Sequence, residues 1–420
     1  MEMDSCSTLD MLNNLPESIL ENIFSRLPTR DMVRTSVLST KWRHKWISVP
    51  HLFFNDECIP VSNGSVGHDK LVKIINHALL LHRDPILTFK ISSSWLQTCS
   101  EIDSWILYLS LNSSTLTEFK LKISKSVRHS VLPCLFSFRK LIHLTLVGCI
   151  IVTPMRIEGF SCLTSLVFQK VTLSSATLKC LVSACRQLER LTLIDMDGPT
   201  YIELSNPKLK YLQISGRFIG MCLKDLRHLV YASFSVTTAA LLGQRRNCNF
   251  SNILGSLVSI EKLVMGGWFM QYLVVGDVGT RLPSTYDHLK SLSFPLNVED
   301  MKEILVAICL LNSSPNLQEL EILFWHKRGN GIVTIMDVLE AEDQLECTFN
   351  KLRIVNISTL FGMEIELVLV KFILANSPVL ETMNISSAKN GIEVVTFLKV
   401  LLQFKRASPQ AKIVYLDPET

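Results

Sequence analysis

Apolar residues recur down most of this chain with one spacing, L-x-x-L-x-L. Twelve such triplets start at Ile86, Leu116, Leu141, Leu163, Leu188, Leu209, Leu229, Ile260, Leu289, Leu317, Leu352 and Leu380, at intervals of 20 to 35 residues. The apolar/polar alternation inside each triplet predicts a short strand with one buried face. The unit from Leu229 is the weakest, because Ala232 holds its middle position. Between triplets the spacing turns helical. Leu178, Leu181, Val182 and Cys185 follow Ser174-Ser175. Met301, Ile304, Leu305, Ile308 and Leu311 follow Glu299-Asp300, an acidic first turn that a helix dipole favours. Leu367, Val370, Phe372 and Leu374 lead into Asn376-Ser377-Pro378, a turn that stops a helix. The predicted cycle is helix, turn, strand.

Four stretches align over 13 residues without gaps: LSLNSSTLTEFKL from Leu109, LVSACRQLERLTL from Leu181, LLNSSPNLQELEI from Leu310 and ILANSPVLETMNI from Ile373. Each ends a helix, turns and enters a strand. One such unit cannot bury its apolar face alone. Stacked units can, through a continuous core with parallel strands inside and helices outside. A period of ~20–29 residues with this strand signature is that of leucine-rich repeats.

The N-terminal segment, LNNLPESILENIFSRLPTRDMVRTSVLSTKWRHKWISV over residues 12–49, follows another pattern. Leu15, Ile19, Leu20, Ile23, Phe24 and Leu27 share a helical face, with Pro16 suited to the first turn and Pro28 to the stop. Thr29 is read as the cap of a second helix carrying Met32, Val33, Val37 and Leu38. Ser39 is read as the cap of a third, with Trp42 and Trp46 on one stripe and Arg43 and Lys45 between. Three short helices cannot bury all these side chains alone, so the segment is either a cap on the repeats or a docking module for another protein.

The run L-P-x-x-I-L-x-x-I-F-x-x-L-P, then R-T-S-V-L-S-x-K-W-R-x-x-W, resembles the F-box of the large plant F-box family. The tail resembles the FBD domain that closes many plant F-box proteins with leucine-rich repeats, most closely at Ala375-Asn376-Ser377-Pro378-Val379-Leu380-Glu381. The resemblance implies an α/β chain: a short three-helix F-box, then a leucine-rich-repeat solenoid, then a C-terminal FBD cap. The expected bounds are 11–56 for the F-box, 57–84 for a connecting segment and first solenoid helix, 85–346 for the repeats and 347–417 for the FBD domain. In the connecting segment Asn63-Gly64-Ser65 is read as a loop, and Leu71, Ile74, Ile75, Ala78, Leu79 and Leu81 as a helical stripe. The resemblance also implies docking onto a Skp-type adaptor, and through it a cullin, by Leu15, Pro16, Ile19, Leu20, Ile23, Leu27, Pro28, Val33, Val37, Leu38, Trp42, Arg43 and Trp46. It points to the substrate-recognition subunit of an SCF-type ubiquitin ligase, a binding protein rather than an enzyme.

Composition narrows the alternatives. Of 420 residues, 48% are apolar and 19% charged, which excludes a disordered or fibrous chain. The net charge of +4, from 42 basic and 38 acidic side chains, carries no signature of nucleic-acid binding. The basic cluster Lys41, Arg43, His44 and Lys45 is read as the solvated side of a helix, since no aromatic stacking platform accompanies it. The longest apolar run, Ile304 to Leu311, is far short of the roughly 20 residues a membrane span needs. The opening MEMDSCSTLD lacks the basic and apolar regions of a signal peptide, so the expected location is cytoplasmic and/or nuclear. Twelve cysteines include no C-x-x-C pair, and Cys149, Cys162 and Cys309 fall on leucine-like positions, as small buried thiols do. No Walker loop, H-E-x-x-H or G-x-S-x-G occurs and the ten histidines are dispersed, so no catalytic residue, metal or cofactor is expected.

Within each triplet the residues between the leucines point away from the core. That outward strip is basic early, at Lys90, Lys120, Lys122, His143 and Arg190. It is hydroxyl-rich in the middle, with Tyr211 and Tyr231 near its centre, and acidic at Glu319 and Glu321. Tyr and Arg are common interface anchors. The expected ligand is a target protein, not named by the sequence, with an acidic segment against Lys90, Lys120, Lys122 and Arg190. Two other readings stay open: a repeat receptor for a small molecule, and a scaffold that docks no adaptor.

Overall fold

The computed structural model describes residues 15–27, 29–38, 42, 45–59, 64–112, 114–124, 127–152, 157–199, 201–238, 253–273, 285–326, 348–388 and 399–416. The chain divides into two compact units, residues 1–188 with 195–198, and residues 189–194 with 199–420. The first unit opens with α1 (Glu17–Arg26) and α2 (Thr29–Thr35), then a single 3-10 turn at Lys45–Ser48. A parallel sheet follows in the order β1 (His51–Asn55), β2 (Thr88–Ser92), β3 (Glu118–Lys122), β5 (His143–Val147), β7 (Ser165–Gln169). Between its strands lie α3 (Gly64–Leu81), α4 (Ser100–Asn112) and a two-residue ladder of β4 (His129–Ser130) with β6 (Cys149–Ile150), and α5 (Ser175–Ala184) comes after β7.

The second unit carries nine further parallel strands in one sheet. They run β8 (Arg190–Ile194), β10 (Tyr211–Gly216), β12 (Tyr231–Val236), β13 (Lys262–Gly267), β14 (Ser291–Leu296), β15 (Glu319–Phe324), β16 (Ile354–Leu360), β17 (Thr382–Ser387) and β18 (Lys412–Leu416). Helices α6 (Phe269–Leu273), α7 (Met301–Asn312) and α8 (Glu364–Asn376) accompany its later strands.

Every one of the twelve triplets becomes a strand, and the leucine positions stack in register. Leu52, Phe89, Phe119, Leu144 and Leu166 are cross-strand neighbours in the first unit. Leu191, Leu212, Ala232, Leu263, Leu292 and Leu320 form the same row in the second. Ala232 is fully buried in that row, so the weakest triplet is a complete rung. One rung was hidden. Residues 51–55, read as the end of the F-box, pair with β2 as the first strand of the sheet. Its signal is the same spacing, Val49-x-x-Leu52-x-Phe54, and all three side chains are buried.

The helix–turn–strand cycle fails where the repeats are shortest. Between β8 and β12, at intervals of 21 and 20 residues, two short strands replace the helices, β9 (Tyr201–Ser205) paired in parallel with β11 (Gly220–Lys224). About ten residues remain there after strand and turns, too few for a helix of several turns with its connections. Elsewhere helix ends follow the sequence signals. Ser174 Oγ accepts the Thr177 N–H at 3.0 Å, and Asp300 Oδ1 accepts that of Lys302 at 3.0 Å. At the other ends, Ser313, Ser314 and Ser377 hydroxyls donate back to the carbonyls of Cys309, Leu310 and Ile373 at 2.8, 2.6 and 2.6 Å. The Asn112 and Asn376 amides donate to Tyr108 and Phe372 carbonyls, each at 3.0 Å. This is why the Asn-Ser motif recurs where helix passes to strand: short polar side chains satisfy last-turn carbonyls that have no helical partner.

Two further expectations change. Gly64, read as loop, opens α3. Asn63 lies outside the described residues. Cys162 is exposed, whereas Cys149 and Cys309 are buried, and burial pushes those two thiols up to about 12 and about 11. No helix among the described residues is long and apolar enough to cross a membrane.

Candidate functional site

The N-terminal helices form a small core of their own. Leu20, Phe24, Met32, Trp42 and Val49 are buried together, with Leu15, Leu27 and Trp46 packed partly against them. Phe24 meets Trp42 edge to face, ring centres 5.6 Å apart, the arrangement aromatic quadrupoles favour. The amphipathic stripe predicted for α1 therefore splits. Leu20 and Phe24 face inward, whereas Ile19 and Ile23 stay in solvent. On α2 and the turn after it, Val33, Val37 and Leu38 are also outside, Val37 at 89% and Leu38 at 73% exposure. Pro16 is exposed at the residue before α1, and its carbonyl accepts the N–H groups of Ile19 and Leu20.

The surface open to a partner is thus narrower than the motif that predicted it. Leu20 and Trp42 are buried in that core. Trp46 is half-buried on the 3-10 turn, so the two tryptophans share no surface stripe. Instead of a third α-helix the described residues carry that one turn. Its expected cap Ser39, like Pro28 and Arg43, lies outside the described residues. Thr29 does not serve as a free cap: it is buried, and its Oγ1 accepts the N–H of Phe53 on β1 at 2.8 Å.

The second candidate surface is the outward row of the strands. In the first unit Lys90 is not available to an incoming acid, because its Nζ lies 2.7 Å from Glu118 of the next strand. Lys120, its cross-strand neighbour, is half-buried. Lys122 and His143 are exposed at the end of β3 and the start of β5, and Lys122 lies close enough to Asp56 to favour that carboxylate's charge. Of the expected basic strip, Lys90 is thus held by one of the chain's own carboxylates and Lys122 lies near another. In the second unit Arg190, Tyr211 and Tyr231 come together in one cross-strand row. The two tyrosine rings stack at 4.4 Å and 2°, and the Arg190 guanidinium sits 4.1 Å above the Tyr211 ring centre. The Tyr211 hydroxyl donates to Gln213 Oε1 at 3.1 Å.

Sequence reasoning missed two buried carboxylates. Glu366 Oε2 accepts the N–H groups of Phe361, Gly362 and Met363 at 3.0, 2.7 and 3.0 Å, and its Oε1 lies 3.0 Å from His326 Nε2. Glu303 Oε2 accepts the Asn297 N–H at 2.8 Å, and burial pushes its carboxyl up to about 7. Each is the third residue of its helix and folds back on the strand-to-helix loop, so a Glu three residues after the N-cap position, Asp300 in one helix and Met363 in the other, was the available signal. His129 is likewise structural: it is buried, with Asp103 Oδ1 2.9 Å from Nε2 and Thr98 Oγ1 3.0 Å from Nδ1. Among the described residues no group of three or more His, Cys, Asp or Glu is placed to hold a metal ion.

Comparison with known proteins agrees with this geometry. The F-box domain model matches residues 12–54, the model "FBD-associated F-box protein At5g56370, LRR repeats" matches 102–322, and the FBD model matches 343–385. The chain is 35% identical over 414 residues to the F-box/FBD/LRR-repeat protein At1g13570 of Arabidopsis thaliana, covering 97% of this chain and 99% of that one. This chain belongs to the plant F-box/FBD/LRR-repeat family. Two further Arabidopsis thaliana relatives are more distant. F-box protein At5g03100 is 26% identical over 315 residues, 68% of this chain and 98% of that one. FBD-associated F-box protein At5g56370 is 28% identical over 287 residues, 61% of this chain and 64% of that one. In this F-box/FBD/LRR-repeat protein the F-box match takes in α1, α2 and most of β1. The repeat match runs from α4 into β15, and the FBD match covers β16, α8 and the start of β17.

Proposed function

We propose that this F-box/FBD/LRR-repeat protein is a substrate receptor of an SCF-type ubiquitin ligase. Ile19, Ile23, Val33, Val37 and Leu38 dock a Skp-type adaptor, with Pro16 beside them, and the adaptor links the chain to a cullin. The outward face of the strands holds the target protein. The chain performs no bond chemistry itself. It raises the rate of ubiquitin transfer by holding a target close to a charged conjugating enzyme, through effective concentration and orientation. Location in the cytoplasm, the nucleus or both follows from that partnership.

One observation carries the reading: a chain with a well-formed F-box core leaves five large apolar side chains of the same short segment in solvent. Large apolar side chains left exposed this densely on one short segment are what an interaction site needs. The test is isothermal titration of the full chain with a purified Skp-type adaptor. Formation of a one-to-one complex supports the reading. A folded chain that takes up no adaptor at micromolar concentrations overturns it.

A further inference from the structure

The target-binding face has a charge pattern that selects a ligand. Along the second unit's sheet, residues just before the strands neutralise one another: Glu189 with Lys210 at 2.9 Å, Glu261 with Lys290 at 2.8 Å, and Arg353 with Glu381 at 3.8 Å. The adjacent outward row behaves differently. Arg190, Tyr211, Tyr231, Lys262, Ser291 and Glu319 are successive cross-strand neighbours, and Glu321 follows Glu319 on the same face of β15. Arg190, Lys262, Glu319 and Glu321 are all exposed, and among the described residues none of the four is in an ion pair. Among the described residues the charges beside this row are paired and those of the row itself are not.

We infer that this row binds an extended peptide segment of the target that carries two acidic residues, an apolar or aromatic residue between them, and a basic residue beyond the second acid. The inference rests on the receptor reading and specifies its ligand. Arg190 and Lys262 bracket the stacked Tyr211–Tyr231 pair, so a side chain laid across the ring edges has a cation on each side. The Tyr211 ring holds the Arg190 guanidinium 4.1 Å from its centre by a cation–π contact, which leaves its N–H groups for a carboxylate. Strands are spaced about 4.8 Å apart and an extended peptide advances about 3.3 Å per residue. The three strand steps from Arg190 to Lys262 then put the acids about four residues apart, and the two steps on to Glu319 put the base about three residues further. The carboxylates at Glu319 and Glu321 repel a polyanion, so a nucleic acid does not fit the row.

The test uses the full chain and labelled twelve-residue peptides, read by fluorescence anisotropy. The forward peptide has two Glu four apart with Leu between them and Lys three residues after the second Glu. The inverted peptide exchanges every Glu for Lys and the Lys for Glu. The parent protein is expected to bind the forward peptide at least about tenfold tighter than the inverted one. A variant carrying Arg190→Glu, Lys262→Glu, Glu319→Lys and Glu321→Lys is expected to reverse that preference, a rescue that loss of folding cannot produce. Equal affinity of the parent for both peptides, no binding of either, or an unchanged preference in the variant overturns the inference. Adaptor binding is measured on the same samples. Its loss in the parent would strike the receptor reading, whereas intact adaptor binding with no peptide preference strikes this inference alone.

Discussion

The split of the F-box motif into a core and a surface makes a quantitative separation testable. Truncating Leu38 and Val37 together should weaken adaptor binding and leave folding alone, whereas truncating Leu20 should do the reverse. Complete burial of one such side chain is worth about 1.5–3 kcal/mol. Leu38 and Val37 are 73% and 89% exposed in the free chain, so most of that energy is still available to a partner. Removing both side chains to alanine therefore forfeits on the order of 2–4 kcal/mol of association, a loss of roughly 30- to 800-fold in affinity. The same double variant should change folding stability by less than about 0.5 kcal/mol, as solvent-facing substitutions do. Leu20, at 7% exposure inside the Phe24–Trp42 cluster, should cost about 2–5 kcal/mol of stability on truncation. Titration calorimetry against a Skp-type adaptor gives the first quantity. Denaturant unfolding followed by Trp fluorescence gives the second. A Val37→Ala/Leu38→Ala protein that binds at parental affinity refutes the docking assignment, and one that unfolds as easily as Leu20→Ala refutes the division between surface and core.

Three other outcomes follow from the packing. Burial lifts the Glu303 carboxyl to about 7 from its ordinary 4.5, so between those values the folded chain holds a proton that the unfolded chain has released; the contribution is complete below about pH 4.5 and lost as the pH rises through about 7. Glu303→Gln should flatten this part of the stability–pH curve and stabilise the protein at pH 8 by on the order of 3 kcal/mol, and parallel curves for parent and variant would contradict it. Gly148 has φ +72°, and an added Cβ would stand 2.5 Å from the Ile123 carbonyl oxygen, so Gly148→Ala should lower stability by roughly 1–3 kcal/mol in denaturant unfolding; a neutral result would rule out the close approach of these two turns. Ser377→Ala removes a buried hydroxyl that donates to Ile373 at 2.6 Å and should cost about 1–2 kcal/mol on the same measurement, with no loss pointing to a cap that contributes nothing.

Much of the sheet was legible because one spacing does one job. A buried row needs its leucine at the same place in every strand, and register in a parallel sheet repeats that demand rung after rung. Ala232 shows how far the demand carries, since even a small residue kept the rung once its flanks, Leu229 and Phe234, were in place. The missed strand β1 carries the same signal, but it sits against a tryptophan-rich segment that reads as helix. The docking surface was only half legible. Helical periodicity reports which residues share a face, and on α1 that face is wide enough to serve two purposes, Leu20 and Phe24 inward and Ile19 and Ile23 outward. The outward charges were least legible. A lysine in a strand looks the same in sequence whether it is in no ion pair among the described residues, as at Lys262, or held by a neighbour's carboxylate, as at Lys90, because the partner is about 30 residues away and only the register brings it close.

The way the F-box joins the sheet bears on the proposed receptor role. A receptor that swings freely dilutes its target over a large volume, and the gain from effective concentration falls as that volume grows. In the first unit the join is tied at several points. Thr29 of α2 accepts the N–H of Phe53 in β1, His82 Nε2 lies 2.9 Å from the Val49 carbonyl, and the Arg83 N–H reaches the Ile47 carbonyl at 3.2 Å. The Pro50 carbonyl accepts the N–H groups of both Leu87 and Thr88 at the entrance to β2. Val49 belongs at once to the F-box core and to the first rung's triplet, so the two modules share a buried side chain as well as backbone bonds. Helix α2, which carries the exposed Val33, is thus anchored to the strand that starts the sheet. A partner seated on that helix would meet the first unit's strands at a set angle, as the proposed receptor role requires.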